Sequence, residues 1–111
     1  MTTVTVNYRC GRPAGFRAKG HTGYASSGED IVCAAVSALT QTAYLGVLEL
    51  VGIESDISQN DGELRVSLSE ALSPEGQRAA ELILGTMLLG LGSIEENYSD
   101  YLKIVKKEVK A

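Results

Sequence analysis

The sequence predicts a single α+β domain over residues 1–111: one mixed β-sheet layer covered by two helices, in the order β-β-α-β-β-α-β. Three observations predict it. Residues 2–8 alternate Thr/Asn with Val/Tyr, the period of a half-buried strand. Apolar residues recur at helical spacing between Ile31 and Leu50, and again after Pro74. Between those stretches, Asn60-Asp61-Gly62 joins two strand-like runs with residues that tolerate the positive φ of a hairpin turn.

Each element has a local reason. Val4, Val6 and Tyr8 share one face of the first strand. Gly11, Pro13 and Gly15 punctuate a turn, and residues 16–21 return as a second strand ending at His21 on its polar side. Residues 22–28 (TGYASSG) read as a loop able to move. Ser27 and Asp30 are both good N-caps, and their spacing resembles a capping box. Gly52 is a natural stop for the helix that follows. The hairpin strands span residues 53–59 and 63–69. Ser73-Pro74-Glu75 opens the second helix, with Ser as cap and Pro at the first helical position. This helix is apolar over most of its circumference between Leu82 and Leu91, so it must bury more than one side or pack on another chain. The last strand runs through Tyr101, Leu102, Lys103, Ile104 and Val105, with a short basic helix as the alternative.

Composition narrows the class of function. The chain is 44% hydrophobic and 22% charged, ordinary for a globular protein able to bury one core without metal or disulfides. A net charge of −4 argues against direct nucleic-acid binding and suits a basic partner. The N-terminus lacks the basic and apolar regions of a secretory signal. The longest apolar stretch, residues 82–91, is interrupted by Gly85, Thr86 and Gly90, too short to span a membrane. A cytoplasmic location, no membrane, and two reduced thiols, Cys10 and Cys33, are the expectations.

The chemically informative segment is residues 20–37, GHTGYASSGEDIVCAAVS, with the only His and one of the two Cys. A helix starting at Asp30 would put Cys33 in its first turn, where unpaired backbone N–H groups favour a thiolate. Asp30, Cys33 and Ser37 line one stripe of that helix. His21, at a strand end across a loop, can fold back to serve as base for sulfur and acid for a leaving amine. Backbone amides between Ser27 and Cys33 could hold an oxyanion. Taken singly, a Cys is more often a small hydrophobe, a His a surface or capping group, Asp30 a helix cap and Ser37 a buried hydroxyl. No metal site is expected from one His and two Cys, no cofactor is implied, and Cys10 reads as structural.

On these residues the chain resembles the ribosomal-processing cysteine protease family, Prp. The family signature is a Gly-His pair, a short Gly-rich loop, then Asp-Ile-Val-Cys-Ala-Ala-Val-Ser. Here it reads Gly20-His21, then Asp30-Ile31-Val32-Cys33-Ala34-Ala35-Val36-Ser37. The resemblance implies a cysteine endopeptidase that removes the N-terminal extension of a large-subunit ribosomal protein. It implies Cys33 and His21 as the catalytic dyad, with Gly20, Asp30 and Ser37 as substrate-binding or supporting residues. It further implies a homodimer, and a loop over the site that moves when peptide enters. Two other readings compete: a non-catalytic ribosomal-protein-binding or ribosome-assembly module, and a redox-sensing thiol.

Overall fold

Alternation in the first residues becomes strand β1 (Thr2–Arg9), which buries Thr2, Val4 and Val6 and leaves Thr3, Thr5 and Asn7 partly exposed. The computed structural model describes residues 1–20, 27–52, 55–60, 63–69 and 72–109. β2 (Arg12–Lys19) returns antiparallel through a tight turn in which Cys10 and Gly11 both have positive φ, 55° and 76°. Two positive φ values match the right-handed twist of a hairpin.

β2 begins earlier than the turn residues predict. Pro13 lies where β2 pairs only with β1, so its missing N–H costs no bond to the other neighbour. Gly15 is in the strand because of close approach: a Cβ there would lie 2.3 Å from the carbonyl oxygen of Val66 on the adjacent strand.

Helix α1 (Ser27–Leu45) follows, and its last turns widen into a π-helical segment, Gly46–Val51, closed by Gly52 at φ 72°. β3 (Ser55–Asn60) and β4 (Glu63–Leu68) form the expected hairpin; its turn residues 61–62 lie outside the described residues. α2 (Pro74–Asn97) is capped by the Ser73 hydroxyl, which accepts from the Gly76 amide at 3.1 Å. β5 (Leu102–Glu108) is the last strand, so the helical alternative falls away.

The sheet order is β3-β4-β2-β1-β5. β5 pairs in parallel with β1, and the other pairs are antiparallel. One face of the sheet supplies Val4, Val6, Phe16, Leu64, Val66 and Leu102 to the core, and the helices close it with Val32, Val36, Val47, Leu84 and Leu91. By register the opposite face carries Thr5, Arg17 and Arg65 in one row. This is the expected α+β architecture, one mixed sheet under two helices.

One expectation about apolar stretches needs correction. Ile31–Val51, not residues 82–91, is the longer one, and by length and composition alone it could cross a membrane. In this fold one face of it buries Val32, Val36, Thr40, Ala43 and Val47.

Candidate active site

α1 begins at Ser27, the earlier of the two cap candidates, rather than at Asp30. Ser27 and Asp30 both fall in the first turn, and Cys33 moves back to the second. The backbone N–H groups without helical partners belong to the first four residues, 27–30, so a helix-terminal oxyanion site would be built there rather than on the Cys33 amide. The helix dipole also acts most strongly within that first turn.

The sulfur of Cys33 is half-buried and unpaired with Cys10. It faces the start of β1: Sγ lies 3.1 Å from the Thr2 hydroxyl, and either atom can donate. Thr2 is itself buried, and its amide donates to the Tyr101 carbonyl at 2.8 Å. Around the sulfur is a pocket of about 130 Å³ between helix and sheet. One helical stripe, Cys33, Ser37 and Gln41 with Val36 and Thr40 beside it, forms one wall. Thr2, Ala18, Gly20, Glu63 and Leu64 form the other.

The polar groups of this pocket have distinct environments. Thr40 is buried and donates its hydroxyl to the Val36 carbonyl at 2.9 Å, one helical turn back. Ser37 is exposed at the rim. Glu63 accepts from Arg17 Nε at 2.8 Å and from Arg65 at 3.2 Å. The hydrogen bond from Arg17, helped by the positive charges of Arg17 and Arg65, holds the Glu63 carboxyl below its usual range. It is therefore a fixed negative charge near neutral pH. Among the described residues, no three His, Cys, Asp or Glu side chains converge as a metal site would require.

The structure thus brings Cys33, Ser37 and Gly20 to one pocket. Asp30 sits in the helix turn before Cys33. His21 and the loop after it lie outside the described residues. Thr2 was missed by sequence reasoning, although a signal was present: it falls on the same strand face as Val4 and Val6.

A half-buried thiol on a helix beside a narrow cleft suits a nucleophile for acyl transfer. Comparison with known proteins decides the family. The model of the family "Cysteine protease Prp" matches residues 1–103. The chain belongs to the Prp family. It is 35% identical to the ribosomal processing cysteine protease Prp of Bacillus subtilis over 91 residues, 80% of this chain and 81% of that one. It is 31% identical to the Staphylococcus aureus protein of the same name over 103 residues, 91% of this chain and 92% of that one. The fold agrees: the S. aureus Prp structure in complex with a substrate peptide superposes with a TM-score of 0.85 at 28% identity, covering 96% of this chain and 100% of that one. A second S. aureus Prp structure, with a covalently linked product peptide, gives a TM-score of 0.80 at 30% identity over 96% and 100% of the two chains. As a Prp, this chain is a cysteine protease.

Proposed function

We propose that the chain removes the N-terminal extension of a large-subunit ribosomal protein, with Cys33 as nucleophile and His21 as general base. The carrying observation is the Cys33 sulfur in the wall of a pocket between α1 and the sheet. The relatives support the substrate class, being named ribosomal processing proteases. The S. aureus structure with a covalently linked product peptide supports a nucleophilic route.

The chemistry balances with these two residues. The Cys33 thiol gives its proton to the imidazole, and the sulfur adds to the scissile carbonyl carbon. The C–N bond then breaks, and the imidazolium returns that proton to the leaving amine, which leaves a thioester on Cys33. Water attacks the thioester while the imidazole takes a proton from it. Release of the carboxylic acid product restores the thiol. The amides of residues 27–30, without helical partners, would serve as donors for the tetrahedral oxyanion. Gly20, Asp30 and Ser37 support the peptide and the dyad.

The proposal includes a cytoplasmic homodimer. Its support is a second, larger hollow of about 700 Å³ between α1 and α2, lined by Leu39, Leu45, Leu50, Leu82, Ile83 and Met87 among others. Leu50 and Leu82 are 85% and 73% exposed, an apolar surface better covered by another copy than left in water.

The test is intact-mass spectrometry of a ribosomal-protein precursor bearing such an extension, incubated with the native chain or with Cys33→Ala. Loss of the extension with the native chain alone is expected. Cleavage by both would remove Cys33 from the chemistry. Binding with no mass change from either would favour a peptide-holding module.

A further inference from the structure

We infer that Thr2 is a positioning residue for the Cys33 sulfur, its hydroxyl accepting from the thiol and donating to the thiolate. The inference rests on the nucleophile reading of Cys33.

The first support is the place Thr2 occupies. It stands on the core face of β1 in line with Val4 and Val6, and is only 2% exposed. A hydroxyl buried among apolar neighbours is costly without a hydrogen-bond partner. The partner the structure gives it is the Cys33 sulfur, 3.1 Å away.

The second support is how firmly that hydroxyl is held. The Thr2 amide bonds the Tyr101 carbonyl at 2.8 Å, and Thr2 sits opposite Leu102 in the parallel pairing of β1 with β5. A β-branched side chain on a fixed strand has few rotamers left. The sulfur on α1 therefore meets a partner fixed by the sheet.

The third support is chemical. A hydroxyl is both donor and acceptor, so it serves the sulfur in either protonation state by rotating its O–H. Glu63, the nearby carboxylate of the pocket, already accepts from Arg17 and Arg65 and can only accept. Thr2 can donate to a sulfur anion, and Glu63 cannot.

The test compares Thr2→Val, which keeps the shape and removes the hydroxyl, with Thr2→Ser, which keeps the hydroxyl. Two readouts are taken on the full chain at neutral pH: the rate of Cys33 alkylation by iodoacetamide, followed by peptide mass mapping, and kcat and KM on an extension peptide. Thermal melting is recorded for each variant. With Thr2→Val, alkylation and kcat should fall together by about 10- to 100-fold, the size expected for losing a hydrogen bond to a charged group, with KM nearly unchanged. Thr2→Ser should recover most of both. Should the valine variant melt early, Thr2→Ala supplies the same hydroxyl-free comparison.

Native rates in Thr2→Val would overturn the inference. So would equal losses in Thr2→Val and Thr2→Ser, since packing alone would then explain them. A native Cys33 that alkylates no faster than Cys10 and cleaves nothing would sink the nucleophile reading itself, and the role of Thr2 with it.

Discussion

The two halves of α1 face different environments, although one continuous apolar stripe runs beneath both. Toward its start, Cys33, Ser37 and Gln41 border a pocket of about 130 Å³ with hydroxyls and a carboxylate in its walls. Toward its end, Leu45 and Leu50 open onto a groove of about 700 Å³ that is mostly apolar. Underneath, Val32, Val36, Ala43 and Val47 bury into the same core. One helix thus holds a chemical site at one end and a sticky surface at the other. The buried stripe fixes the helix, and the residues off that stripe are free to specialise.

Four experiments test that division. The largest effect is expected from Cys33→Ser. Turnover should fall by about 1,000-fold or more, since an alcohol lacks the acidity and nucleophilicity of a thiol. Melting should stay within a degree or two, because the exchange of one half-buried atom leaves the core alone. A large loss of stability would mean that Cys33 is mainly a packing residue.

Next is Met87→Ala, under the apolar groove. Met87 is 3% exposed, so truncation should cost about 2–5 kcal/mol, read from urea unfolding. Peptide cleavage per folded molecule should change little. A matched loss of turnover in fully folded protein would show that the two ends of α1 are coupled.

Leu82→Glu comes third. Leu82 is exposed on the groove wall, so a charge there costs the monomer little. Sedimentation should show the proposed homodimer shifting to monomer, because a charge would have to be buried at its interface. An unchanged dimer would place that interface elsewhere.

The smallest effect concerns Glu63. Its carboxyl sits below the usual range because Arg17 hydrogen-bonds to it and the positive charges of Arg17 and Arg65 favour the anion. A depressed folded value stabilises the protein above the unfolded value and loses that contribution as pH falls through the folded one. Native protein should therefore exceed Glu63→Gln slightly in urea midpoint at pH 7, and the two should converge once pH has fallen below the folded value of the carboxyl. Its arginine partners are partly exposed to water, which screens the pairing, so the gap is small. A gap that widened on acidification would reverse the assigned sign.

Much of this was legible in the residues, for reasons that can be named. Alternation in β1 and the 3.6-residue spacing of α1 and α2 report burial directly, so element order and type follow from them. Two boundaries slipped because local signals were ambiguous. Ser27 and Asp30 both look like helix caps, and only the fold shows the helix starting at the earlier one. Pro13 and Gly15 look like turn residues, yet Gly15 belongs to a strand because the Val66 carbonyl leaves no room for a side chain.

The order of strands was not legible, since nothing local in the sequence states that β5 lies beside β1. For the same reason Thr2 was overlooked. The motif around Cys33 points along the chain, whereas its hydroxyl partner is 31 positions away across the core. The place of His21 was read from its spacing to Cys33 and lies outside the described residues.

The parallel seam between β1 and β5 has a consequence for timing. Thr2 is synthesised well before its backbone anchor, Tyr101. A nascent chain already carries Cys33 before the strand that pins Thr2 has been made. Pairing between such distant segments is also slow to form. The cleft around the sulfur is thus completed only after β5 has been made, so a partly built chain emerging from the ribosome carries its thiol before it carries a finished protease.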